Sequence, residues 1–379
     1  MSTYSSGGGY DANAAWKSFN YVENDPTDSA AAATAMATGV KTYNEGIGVD
    51  VDGNPVANLL ERAEQLGKAT GVVTSVPFSH ATPAGFVVHN TSRNNYKQIA
   101  ADMLNESAAD VVMGGGHPLY DDDAKPKRFP DYKYIGSKGW ADLSAGSAGA
   151  DADGDDVPDP WTLVQTRAEF QALATGPTPK RVFGLAQVAA TLQKDRSGNE
   201  SADPYVTPLT QTLPTIGEMT AAAINVLDED PDGFFIMIEG GAVDWAAHDN
   251  HAGRLVEEMV DFNKAIGMVL RWVEQNSNWG ETLVIITADH ETGYLTGPDS
   301  GQPLFSDTPV WNDLIGNGPG KLPSLEWHSG GHTNSLVPFF AKGRGVQLFK
   351  DTFDGYDPVR GPYIDNTDIA KVIFTLWRD

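Results

Sequence analysis

The chain has 379 residues, with 51 acidic against 26 basic side chains and a formal net charge of -25. That acidity argues against nucleic acid and anionic membrane surfaces as partners, and with no cysteine there are neither disulfides nor thiolate metal sites. Hydrophobic residues make up 40% of the chain, enough for a large core, and no apolar run approaches the ~20 residues of a membrane span.

In chain order, the first predicted element is a helix opened by Asp28-Ser29 and continued by Ala30 to Ala33, Thr34 and Ala35 as far as Gly39. Ala is the best helix former and Ser or Asp a favoured N-terminal residue. Ser29 is therefore expected in the first turn, where free N–H groups and the positive end of the helix dipole favour an anion. A helix over 56–66 and an apolar strand over Ala69–Thr74 lead to His80-Ala81-Thr82-Pro83 and Ser92-Arg93, with a helix over Asn94–Asn105. Strand segments at Asp110–Met113 and Arg181–Gly184 bracket a region rich in Gly, Asp, Pro and Lys, 114–180, read as an insertion.

Inside that insertion, Asp151-Ala152-Asp153-Gly154-Asp155-Asp156-Val157-Pro158-Asp159 alternates acids around a glycine. The pattern resembles the calcium loops of thrombospondin type 3 repeats, so Asp151, Asp153, Asp155 and Asp159 are candidate calcium ligands. A solvated acidic loop is the plainer reading, and the EF-hand pattern is not met.

Beyond a helix over Ile216–Leu227, the apolar run Phe234–Ile238 leads into Glu239-Gly240-Gly241-Ala242-Val243-Asp244-Trp245-Ala246-Ala247-His248. Asp244 and His248 are four apart, so on a helical turn both reach one ion, and Glu239 stands at a strand end, where ligands collect in parallel sheets. A helix over Leu255–Gln275 precedes the strand Leu283–Thr287, which ends in Asp289-His290. A second Gly- and Pro-rich insertion, 292–330, is followed by Gly330-Gly331-His332-Thr333, a strand over Leu336–Ala341 and a helix over Asp368–Trp377. The alternation predicts an α/β fold, a three-layer sandwich whose mostly parallel central sheet is flanked by helices. The expectation is one domain over 1–379, its loop-rich insertions capping the site or meeting a second subunit.

Each cluster has a plain alternative. An Asp-His pair after a strand is commonly a turn with a capping acid, a lone Gly-His a loop residue, and Arg93 a solvated charge. Together they form one constellation.

With Thr27-Asp28-Ser29 through Thr38-Gly39-Val40-Lys41-Thr42, His80-Ala81-Thr82-Pro83-Ala84, Thr91-Ser92-Arg93, Glu239-Gly240 with Asp244 and His248, Thr287-Ala288-Asp289-His290, and Gly331-His332-Thr333, the chain resembles the bacterial alkaline phosphatases. The resemblance implies hydrolysis of phosphate monoesters through a covalent phosphoserine. Ser29 matches the nucleophile and Arg93 the phosphate clamp. Asp244, His248 and His332 match the ligands of one zinc, Asp289 and His290 those of a second, and Thr82 and Glu239 those of a magnesium. His80 and Trp245 occupy two nearby positions that vary within the family, and their pairing is similar to marine-type members. Two zinc ions so placed would activate the Ser29 hydroxyl and stabilise the leaving alkoxide. A homodimer, exported to the periplasm or secreted, is also implied.

One departure stands out. The family pattern opens with a buried strand ending in Asp-Gly, whose Asp bridges the second zinc and the magnesium, and nothing before Ser29 matches it. Truncation is the expectation, and with it a sheet that lacks a central strand and exposes pairing edges. The alternatives are a related phosphodiesterase- or sulfatase-type hydrolase and an inactive metal-binding remnant.

Overall fold

The computed structural model describes residues 1–152, 157–306 and 308–378. The elements that position the site are α1 (Ser29–Thr38), α2 (Leu59–Gln65), β1 (Ala69–Pro77), α3 (Ala81–Val87), α4 (Tyr96–Asn105), β2 (Val111–Gly115), β3 (Thr162–Val164), β4 (Val182–Leu185), α5 (Ile216–Leu227), β5 (Phe234–Glu239), α6 (Ala242–His248), α7 (Ala252–Asn276), β6 (Leu283–Thr287), β7 (Phe339–Gly343) and α8 (Asp368–Leu376). Five of the strands form one parallel sheet in the order β3-β4-β2-β1-β5. Parallel strands covered on both faces need continuous apolar runs, and β1, β2 and β4 are buried at every position. Neighbouring residues point to opposite faces. Val72, Val112 and Phe183 join one core with residues of α1, α2, α3, α4 and α8. Val73, Val111 and Val182 join the other, with α5 and Ala265 of α7.

β6 and β7 form a separate antiparallel pair, with Leu283 opposite Gly343 and Thr287 opposite Phe339. Among the described residues β5 pairs only with β1, and β6 only with β7. Both strands are apolar, Phe-Phe-Ile-Met-Ile-Glu and Leu-Val-Ile-Ile-Thr, yet every residue of both is only half-buried.

Local chemistry fixes the element boundaries. α1 is capped by Asp28, whose carboxylate accepts from Ala31 N at 2.9 Å, and ends at Gly39 in the left-handed conformation that glycine tolerates, φ +76°. All ten of its residues are buried. The helix expected from residue 56 starts at Leu59, because Asn58 and Glu61 form a reciprocal capping box. The 114–180 region is not wholly an insertion, since β3 within it extends the main sheet. The 292–330 region carries two-residue strands such as Leu295–Thr296 and Glu326–Trp327. Phe19 stacks on Tyr294 and Trp311 at ring separations of 4.7 and 5.6 Å, pinning this region to the N-terminal segment. No helix among the described residues is long and apolar enough to cross a membrane.

Candidate active site

The site gathers at the C-terminal ends of the parallel strands, where the first turns of helices also point. Ser29 is the first residue of α1, and its Oγ lies 2.9 Å from His290 Nε2. Asp28 works twice: one carboxylate oxygen caps α1, and the other accepts from Glu45 N at 3.0 Å and from Arg93 Nη1 at 2.9 Å. The cap that starts the Ser29 helix therefore also holds the guanidinium beside it. The remaining N–H groups of Arg93 are left for a planar or tetrahedral anion. Ser29, Arg93, His80, Asp244, Trp245, His248 and His332 all line one cleft of about 440 Å³.

The histidines turn toward one another in the cleft. His332 Nδ1 sits 2.8 Å from Thr27 O, and His248 Nδ1 2.7 Å from Gly330 O. A carbonyl only accepts, so each ring carries its proton on Nδ1 and turns the Nε2 lone pair into the cleft. Those two Nε2 atoms face one another at 3.0 Å. Thr292 donates to Asp244, so its oxygen accepts from His290 Nδ1 at 3.2 Å, and His290 Nε2 is left facing the same space. Lone pairs converging beside a carboxylate make a donor set that suits zinc. Ligand atoms of Asp244, His290 and His332 lie within 4.8 Å of one another, and the His290 and His332 rings stack 3.5 Å apart. The structure thus joins residues from both of the zinc sets expected from the sequence.

The carboxylates tell the same story. Burial alone would raise Asp244, but the imidazoles of His332, His290 and His248 gathered beside it hold it far below the usual carboxylate range. Burial would lower His290, yet Asp289 and Asp244 outweigh it and push the imidazole up to about 9, so its Nε2 holds a proton until another cation takes that place. The acids demand a cation at this spot. Thr82 Oγ1 donates to Asp289 Oδ2 at 3.4 Å, and Thr74 donates to Glu239. Burial, with the charge of Asp289 adding to it, pushes Glu239 up to about 7. Thr82, Glu239 and Asp289 therefore form a second oxygen-rich corner beside the histidines, suited to a hard ion such as magnesium. His80 caps α3 without a side-chain bond, stacks on Tyr96 at 6.1 Å and meets Trp245 edge-on at 5.4 Å. Burial and then Arg93 push its pKa down to about 3, so the ring is neutral.

The candidate calcium loop stands apart. Asp159 Oδ1 pairs with Lys180 at 2.8 Å and its Oδ2 accepts from Ala152 N at 3.2 Å. Asp151 lies beside this turn, while Asp153 and Asp155 fall outside the described residues. Three residues in or around the cleft were not singled out from the sequence. Thr292 orients both Asp244 and His290, Lys194 lines the cleft, and Asp249 follows His248 on its rim. No local motif marks any of them.

A serine hydroxyl at a helix N-terminus, a guanidinium beside it and a group of histidines and acids able to hold metal share one cleft. The alkaline phosphatase family model matches residues 10–314. Alkaline phosphatase 3 of Bacillus subtilis is 32% identical, across 93% of this chain and 77% of its own. Among solved structures, the cold-active alkaline phosphatase of a psychrophilic Shewanella species superposes with TM-score 0.68 at 26% identity, covering 100% of this chain and 89% of that one. A mutant TAB5 alkaline phosphatase with magnesium bound in its M3 site matches with TM-score 0.61 at 28% identity, covering 93% and 84%. The chain belongs to the alkaline phosphatase family, and is an enzyme of the phosphomonoesterase class.

Proposed function

We propose that the chain hydrolyses phosphate monoesters to an alcohol and inorganic phosphate in two displacements at Ser29. The observation that carries this reading is the placement of Ser29 Oγ, 2.9 Å from a histidine of the metal-competent group and on the helix whose cap holds Arg93. Zinc held by Asp244, His248 and His332 and by Asp289 and His290, with magnesium near Thr82 and Glu239, would supply positive charge that lowers the hydroxyl pKa and draws off negative charge.

The remaining work falls to the chain. Arg93 binds two non-bridging phosphate oxygens, while the N-terminal N–H groups of α1 face the same anion. Ser29 Oγ gives up its proton and attacks phosphorus in line, forming a phosphoserine as the alcohol leaves with a proton. Water then attacks the same phosphorus, the Ser29–phosphate bond breaks, and the hydroxyl is restored as inorganic phosphate departs. Trp245 and neutral His80 form an aromatic wall that limits water beside the bound ester. The net charge of the protein opposes its anionic substrate, so the local cations must reverse the field. The enzyme is read as a homodimer, periplasmic or secreted, built as one domain.

Turnover of p-nitrophenyl phosphate and metal content on one purified sample test the reading. Ser29→Ala is expected to lower turnover by at least about 10³-fold with metal content unchanged. Turnover that survives in that variant would reject the phosphoserine route. A diesterase or sulfatase reading predicts faster cleavage of phosphodiesters or sulfate esters, and the charge of Arg93 and the metals favours the dianionic monoester instead.

A further inference from the structure

α6, which carries Asp244 and His248, is two turns long, and its N-cap Gly241 offers no side-chain bond. A helix of that length does not hold itself in water, so the direction of its ligands is set from outside. At its start, Ala242 N donates to Ser75 Oγ at 3.0 Å. The same Ser75 accepts through its carbonyl from Leu192 N, also at 3.0 Å. Two residues further along that loop, the Lys194 ammonium lies 2.9 Å from Asp195 and donates to Asp249, the residue that caps the C-terminus of α6. Arg196 then locks the loop from below, donating to Gln193 O at 2.9 Å, Pro208 O at 3.0 Å, Thr207 O at 2.8 Å and Glu257 Oε2 at 2.7 Å.

We infer that Lys194 is a positioning residue for the metal ligands Asp244 and His248, closing a bracket that grips α6 at both ends. The physical logic is local. An acid such as Asp249 at a helix C-terminus is opposed by the dipole, and a cation there is favoured. Lys194 supplies that cation with its side chain only 7% exposed, so its two carboxylate partners fix it in one place. Because Leu192 and Arg196 are anchored on either side, the pull on Asp249 is transmitted to a rigid loop and not to a mobile one. Asn250, held at φ +58° just beyond, makes the turn that would otherwise let the helix end drift.

The inference rests on the phosphatase reading of the site, and zinc retention against a competing chelator tests it on the metal-loaded protein. Lys194→Met is expected to lower retention about 10-fold, the scale seen when a group that orients a ligand is lost. Asp249→Asn lowers it comparably, and the double variant falls no further than either single one. Lys194→Arg, which keeps the charge, recovers most of the loss. Unchanged retention in Lys194→Met, or losses that multiply in the double variant, overturn the inference. So does a fall in the melting temperature of the metal-free chain that accounts for the whole effect. Should Lys194→Met not fold, Asp249→Asn carries the same test, since that side chain is half exposed. Wild-type protein that takes up no zinc overturns the reading of the site itself and the inference with it, a result distinct from equal retention in wild type and variant.

Discussion

Arg93 reaches the Ser29 helix through a single ion pair to Asp28, with 2.9 Å between nitrogen and oxygen. The phosphate contact proposed for it is separate from the histidines that would hold metal, so Arg93→Ala should leave zinc content intact. Losing a charge-assisted fork to phosphate costs about 2 kcal/mol, roughly a 30-fold rise in the inhibition constant of inorganic phosphate. Matched loss of zinc in that variant would refute the role. At this scale the residues that gather in and around the cleft were largely legible in the sequence. Asp244 and His248 announce themselves by spacing, Asp289 and His290 by following an apolar strand, and Ser29 by its Ala run. What stayed hidden is whatever acts across long sequence distance. Thr292 meets Asp244 from 48 residues away, and Lys194 meets Asp249 from 55, with no pattern around either.

Two elements, α1 with Ser29 and α3 with Thr82, pack closely because Gly85 has no side chain. A Cβ added there would stand 2.9 Å from Ala33 Cβ and 3.3 Å from Thr34 N. Gly85→Ala should therefore push α1 outward, costing about 1–3 kcal/mol in urea denaturation and reducing turnover along with it. An unchanged midpoint and rate would mean the helices part freely. At the opposite end of the sheet, Glu64 of α2 accepts from Thr70, and Asp110 Oδ2 accepts from Thr70 N at 2.8 Å. Burial, joined by the charge of Asp110, pushes the Glu64 carboxyl up to about 8. The folded chain keeps that proton to about pH 8, whereas an unfolded one releases it near 4.5, so stability falls as pH rises through this interval. The advantage of Glu64→Gln over wild type should accordingly grow between these limits, by at most about 1.4 kcal/mol per pH unit. A pH-independent difference in thermal unfolding would remove the argument. Element types were readable from apolar runs and helix periodicity. The membership of β3 in the main sheet was not, since Thr162–Val164 is three residues inside a polar region and pairing is a long-range property.

The whole molecule carries a formal charge of -25, and its acidic groups repel one another in the folded state. Raising ionic strength shortens the Debye length from ~30 Å at 0.01 M to ~8 Å at 0.15 M, which relieves that repulsion. The melting temperature is expected to climb with sodium chloride over this range, and a flat or falling curve would show that paired charges matter more than net charge. The half-buried strands β5 and β6 act at this scale too. Among the described residues each is paired along one edge, and the other edge offers a row of backbone donors and acceptors flanked by apolar side chains. Concentration then becomes a variable of every measurement: two molecules can satisfy what one leaves unmet, so loss of the monodisperse species should be second order in protein. Light scattering on a dilution series reads that order directly. Enzyme stocks would then keep their activity longest when held dilute and in salt low enough that mutual repulsion keeps the molecules apart, the reverse of what protects each molecule against heat.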